Sequence, residues 1–111
     1  MKKMSESEKN SAERLLGMLG LCARAGRLIY GTSLICDSLR DKKEIFIVLM
    51  ADGVSENTKK RLSDKCKYYG VRLESVRVTT GELAHALGRS GELAAVAVTD
   101  RHFADGLEKW L

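Results

Sequence analysis

The chain has no proline, three cysteines in 111 residues, and only 5% aromatic side chains. With no proline, no element is interrupted by a fixed φ or a missing N–H, and no proline-rich linker divides the chain. Cys22, Cys36 and Cys66 are odd in number, widely spaced and free of any C-x-x-C pattern, a poor basis for a disulfide framework. Each falls on an apolar helix face, so they read as small buried hydrophobes of a reducing compartment. The longest apolar run, Ile45 to Ala51, is too short to cross a bilayer. Lys2 and Lys3 are followed by Ser5, Glu6, Ser7 and Glu8 rather than by the apolar core of a signal peptide. These absences predict a cytoplasmic protein with no membrane partner.

Catalytic patterns are missing too. His85 and His102 lie in no HxxxH or HExxH context, and there is no G-x-S-x-G, G-x-G-x-x-G or Walker sequence. Gly26-x-x-x-x-Gly31 resembles half a P-loop but is followed by Thr32-Ser33, without the phosphate-reaching lysine. Asp52 ends an apolar strand, as a phospho-accepting aspartate does, yet the acidic pair that would hold Mg²⁺ is missing after Leu28 to Tyr30. The expectation is a non-enzyme with no metal and no cofactor.

What is present is an ordinary globular balance, 44% apolar and 31% charged, with a net charge of +4. The pI near 9.1 permits an anionic partner. The length suits a single domain, 1–111, with a real core. Ser5-x-x-Glu8 has capping-box spacing and predicts a first helix with Leu15, Met18, Leu19 and Cys22 inward. Gly17 and Gly20 lower its helix propensity, which close packing on another backbone would offset. Gly26 stops it. Leu28 to Tyr30 suits a short strand, and Thr32 or Ser33 can cap a second helix to Arg40 with Leu34, Ile35, Ser38 and Leu39 inward.

Glu44 to Ala51 reads as a strand covered on both faces. Ser55 caps a third helix through Tyr69, stopped by Gly70. Val71 to Val78, interleaved with Arg72, Glu74 and Arg77, is a less buried strand. Thr79-x-x-Glu82 is a second capping box, for a helix to Leu87. Ala94 to Val98 is a central strand of small residues, and Thr99 or Asp100 caps a last helix with Phe103, Leu107, Trp110 and Leu111 inward. Alternating helices and strands imply an α/β sandwich with helices on both faces. Strand order is not legible.

The junction from Arg24 to Ser33 packs a helix stop, a strand and a helix start into ten residues. A helix start with free N–H groups is an anion site, and Arg24 and Arg27 lie beside it in sequence. Lys59 follows the Ser55 cap, and Arg89 follows Gly88 before the last strand. If the loops around Gly31, Asp52 and Gly88 meet at one end of the sheet, they form one basic rim. The plainer alternative is a helix–strand–helix connection with solvated arginines.

A run of motifs adds to this. Leu19-Gly20-Leu21-Cys22-Ala23-Arg24-Ala25-Gly26-Arg27-Leu28 and Gly31, then Val48 to Lys60, Cys66 to Val71, Leu83 to Gly88 and Val96 to Asp100 resemble, in set and order, the ribosomal L7Ae/L30e/S12e/Gadd45 family, in particular its small bacterial YlxQ-like branch. The resemblance runs from about Glu13 to Leu111. It implies an L30e-like three-layer α/β/α sandwich with a mixed four-stranded sheet. It also implies a non-catalytic RNA-binding protein, ribosome- or structured-RNA-associated, with no DNA partner expected. Arg24, Arg27, Gly31, Thr32, Ser33, Lys59 and Arg89 are then the candidate RNA contacts.

Kink-turn readers of the family carry Gly-Thr, then Asn or Lys, a polar residue, and a Lys three positions later. Gly31 and Thr32 match, whereas Ser33, Leu34 and Asp37 depart. Ser33 reaches less far than asparagine, Leu34 cannot bond a base edge, and Asp37 repels phosphate, so these positions count against kink-turn recognition. They favour the competing reading, a protein–protein module on the same scaffold that has lost RNA binding. A third reading, an accessory domain of an RNA ribose methyltransferase, ranks last, since these 111 residues hold no catalytic segment.

Overall fold

The computed structural model describes residues 4–111; Lys2 and Lys3 lie outside them. The elements follow in the order α1 Glu6–Arg24, β1 Leu28–Tyr30, α2 Thr32–Arg40, β2 Ile47–Asp52, α3 Glu56–Tyr69, β3 Leu73–Thr79, α4 Thr80–Ala86, β4 Ala95–Val98 and α5 Arg101–Leu107, with a 3-10 turn Glu108–Trp110. Both capping boxes form, Ser5 with Glu8 and Thr79 with Glu82. Ser55 accepts from the Thr58 N–H, and Asp100, rather than Thr99, accepts from the Phe103 N–H. Each cap satisfies a donor that the first helical turn leaves over.

One sheet runs β1-β4-β2-β3. β4 is antiparallel to both β1 and β2, while β2 and β3 are parallel. The sheet is therefore mixed, with the two most apolar strands in the middle and the charged β3 at an edge. Side chains alternate across it as a period of two requires. Ile47, Leu49, Ala51, Val96 and Val98 pack with Leu15, Leu19, Leu83 and Leu107 under α1, α4 and α5. Val48, Met50, Ala95 and Ala97 pack with Ile35, Leu39, Leu62 and Cys66 under α2 and α3. Two apolar layers on one sheet make the three-layer sandwich the sequence predicts.

Several local expectations change. The second strand begins at Ile47 rather than Glu44, and the third spans Leu73–Thr79 rather than Val71 to Val78. Leu34 is not inward but 58% exposed: α2 centres its buried face on Ile35 and Leu39, and the adjacent position is rotated by about 100°. Leu111 is also exposed, because the chain tightens into a 3-10 turn at Glu108–Trp110 and leaves the α-helical face. A Cβ on Gly17 would meet nothing within 4 Å, so no backbone packs there; one on Gly20 would lie 3.8 Å from the Ala86 carbonyl oxygen, an ordinary contact. The close helix approach is instead at Gly106 of α5, where a Cβ would be 2.8 Å from Met18 Cε. The three cysteines are buried free thiols. Burial, and secondarily Asp100, pushes the Cys22 thiol up to about 11 against the opposing pull of Arg27. Burial, and secondarily Cys36, does the same for Cys66.

Candidate RNA interface

β1 ends at Tyr30 opposite Val96 near the start of β4, and the Gly31 N–H donates to the Ala95 carbonyl at 2.9 Å. On the other side of β4 the Ala51 N–H donates to the Ala94 carbonyl at 2.8 Å. The α2 start, the end of β2 at Asp52 and the loop that follows Gly88 therefore share one end of the sheet. α3 begins from this end, four residues after Asp52, and carries exposed Lys59 in its first turn.

α2 has a start unlike that of the other α-helices. Its N-cap is Gly31, not Thr32 or Ser33, and no side chain caps it. The Gly31 carbonyl accepts from the Ile35 N–H at 3.0 Å, so the helix begins one residue before the hydroxyl residues and places them in its first turn. Gly31 has φ 87° and ψ 153°, a combination essentially restricted to glycine, with open space where a Cβ would stand. The result is a helix N-terminus with no side-chain acceptor of its own, half-buried Thr32 and exposed Ser33 beside it, and the positive end of the helix dipole outward.

Next to it the Arg89 guanidinium lies 3.7 Å from the centroid of the Tyr30 ring. This cation–π contact fixes a positive charge at the mouth of a shallow hollow lined by Tyr30, Leu87, Gly88, Arg89 and Ser90. Arg24, exposed at the end of α1, shares an adjoining hollow with Gly20, Tyr30, His85 and Gly88. Arg24, Gly31, Thr32, Ser33 and Arg89 thus come together around Tyr30, and Lys59 stands at the same end of the sheet on the α2–α3 side. Arg27 does not join them. It precedes β1 where Gly31 follows it, and it pairs with Asp100 at 3.9 Å. Its carbonyl accepts from the Thr99 N–H and the Cys22 thiol.

Tyr30 is the residue the sequence alone does not reveal as part of the site, since only the β1–β4 pairing brings Arg89 to it. Asp37 is half-buried and its carboxylate is 3.2 Å from Arg40, one turn on, which offsets part of its charge. Among the described residues no group of three or more His, Cys, Asp or Glu side chains is arranged to hold a metal ion, and no helix is long and apolar enough to cross a membrane. A cavity of about 270 Å³ lies away from this surface, lined by Glu8, Leu15, Val76, Arg77 and Trp110 among others.

The Ribosomal protein L7Ae/L30e/S12e/Gadd45 family model matches residues 13–108. The chain belongs to that family. It is 34% identical over 90 residues to the RNA-binding protein YlxQ of Bacillus subtilis (strain 168), covering 81% of this chain and 87% of that one. It is 40% identical over 63 residues to the RNA-binding protein YlxQ of Enterococcus faecium, covering 57% of this chain and 60% of the relative. Among solved structures, a protein of unknown function from Bacillus halodurans C superposes with a TM-score of 0.77 at 28% identity, covering 86% of this chain and 94% of the other. The Giardia lamblia 15.5kD RNA binding protein superposes with a TM-score of 0.73 over 99% of this chain and 89% of its own, at 13% identity. That last likeness is one of fold. The family and its YlxQ-like branch are those the sequence motifs indicate.

Proposed function

We propose that this L7Ae-family protein acts as a single, non-catalytic, cytoplasmic RNA-binding domain whose target is a structured RNA, ribosomal RNA or the assembled ribosome among the candidates. The observation that carries the reading is the uncapped, glycine-started α2 helix beside an Arg89 held over Tyr30. The N–H groups and the dipole of α2 receive a phosphate. Arg24, Arg89 and Lys59 neutralise its neighbours, and Thr32 and Ser33 offer hydroxyls to sugar or base edges. The hollows around Tyr30 give a base or ribose a place to rest. Arg27, tied to Asp100, adds only to the general positive field. The curated relatives are named RNA-binding proteins, which supports the same partner here.

Kink-turn selectivity is weak in this reading, because Leu34 and Asp37 stand where a polar residue and a lysine would read and hold the kinked backbone. Exposed Leu34 at the same edge favours a second reading, a protein-docking face. Binding of a labelled RNA hairpin, titrated with salt for the native chain and for Arg24→Glu and Arg89→Glu, separates the two. The RNA reading requires log K to fall linearly with log salt and the slope to lessen in each variant. Salt-independent binding, or none, favours the protein-docking reading.

A further inference from the structure

Resting on the RNA-binding reading, we infer that the exposed face of α3 is a second RNA contact, a track of phosphate-binding cations that ends in a base-stacking platform at Tyr68. α3 holds five basic residues, Lys59, Lys60, Arg61, Lys65 and Lys67, against two acidic ones, Glu56 and Asp64. A net +3 of the chain's +4 is thus concentrated on one helix. Only Lys60 is paired, with Asp64 at 3.6 Å. Among the described residues Lys59, Arg61, Lys65 and Lys67 have no acidic partner, so their charge is open to solvent.

At the far end of this helix Tyr68 is 81% exposed, so its ring face is open to stack on a ligand. Its neighbour Tyr69 is half-buried against the α2–α3 core and meets the Tyr68 ring edge-on, with centroids 4.8 Å apart and planes at 79°. The half-buried ring steadies the exposed one. Arg61, Lys65 and Tyr68 fall at i, i+4 and i+7, one side of the helix, and Asp64, Lys65, Tyr68 and Tyr69 line a shallow hollow. An aromatic face among unpaired cations matches how single-stranded RNA is held, phosphates by the charges and a base by the ring.

The track starts at Arg61, in the second turn of the helix that begins at the sheet end carrying Gly31 and Arg89. At 1.5 Å per residue, Arg61 and Tyr68 are about 10 Å apart along the axis, roughly three stacked nucleotides. The RNA on the rim therefore continues along α3 as a short single strand whose last base stacks on Tyr68.

The test uses two fluorescein-labelled probes, a twelve-nucleotide oligo(A) and a blunt RNA hairpin, with the native chain, Tyr68→Ala and Tyr68→Phe. The quantity read is the affinity for oligo(A) relative to that for the hairpin. We expect Tyr68→Ala to lower this ratio about tenfold and Tyr68→Phe, which keeps the ring, to restore it. A 4-thiouridine oligonucleotide should crosslink to the Lys67–Tyr69 peptide. If the native chain binds the hairpin but Tyr68→Ala leaves the ratio unchanged, the stacking platform is refuted. Loss of a protein partner, rather than of oligo(A), in Tyr68→Ala would reassign the face to protein docking and also overturn the inference. Failure of the native chain to bind even the hairpin is a different result: it defeats the RNA reading itself, and this inference with it.

Discussion

Replacing Gly31 by alanine, glutamine and glutamate sets helix stability and RNA affinity against each other. At φ 87° and ψ 153° any side chain strains the backbone by roughly 1–3 kcal/mol. No atom lies within 4 Å of the added Cβ, so no steric cost follows. A domain stability of about 5–15 kcal/mol absorbs that strain, and all three variants should fold. Alanine measures the strain alone. Glutamate places a carboxylate on the positive end of α2, which stabilises the helix by about 0.3–1 kcal/mol relative to glutamine. For a phosphate about 6 Å away the same carboxylate is repulsive by roughly 1–2 kcal/mol at an intermediate effective dielectric, or about 5- to 30-fold in affinity. The glutamate variant should therefore melt at higher urea than the glutamine variant and bind the hairpin RNA more weakly, with the gap closing as salt is raised. Urea melts and anisotropy titrations at two salt concentrations give both numbers. Equal RNA affinity for the two variants would remove phosphate from the start of α2.

Val48, fully buried in central β2, should not tolerate Val48→Asp: an unpaired carboxylate there costs several kcal/mol, and a cooperative, near-native urea melt would contradict that placement. Ser33→Asn with Asp37→Lys should raise affinity for a kink-turn RNA above that for a straight duplex of equal length, whereas Asp37→Lys alone, which also takes Asp37 away from Arg40 and leaves it only Asp41, should raise both and steepen the salt dependence; equal gains in the double variant would show an electrostatic effect only. The folded-state pKa values of Cys22 and Cys66, about 11, lie above the ordinary thiol value of 9.0. The unfolded chain therefore loses these protons first, and stability is full below pH 9 and declines between about 9 and 11, at up to about 1.4 kcal/mol per pH unit for each thiol. Urea melts under reducing conditions should show this decline, and Cys22→Ala with Cys66→Ala should flatten it.

Much of the architecture is written locally. Ser5 with Glu8 and Thr79 with Glu82 announce helix starts because the partners that satisfy the first-turn donors are three residues apart. The continuous apolar stretches of β2 and β4 announce central strands because both faces are covered. The misread positions are those where the local pattern is degenerate. Leu34 and Ile35 are adjacent and equally apolar, and only the direction of the sheet decides which one turns inward. Gly31 was readable as a glycine before a capping residue, but its role as the cap depends on its bond to Ala95. The rim was legible as a list of charges and small residues. Its assembly was not, since Arg89 reaches Tyr30, and Arg27 is lost to Asp100, only through pairings between distant segments.

The pairing that builds the rim also fixes when it can exist. β1 has a single neighbour, and Leu28, Ile29 and Tyr30 find their partners only in Val98, Ala97 and Val96. During synthesis Arg24 to Ser33 are made first, and the strand that anchors them, Ala95–Val98, follows more than sixty residues later. At about 5–20 residues per second several seconds separate the two, and closing so long a loop adds its own entropic delay. A nascent chain thus exposes the residues of the site without their arrangement. The rim takes shape only once β4 has been made and inserted beside β1, so the residues of the site are on display before its geometry is.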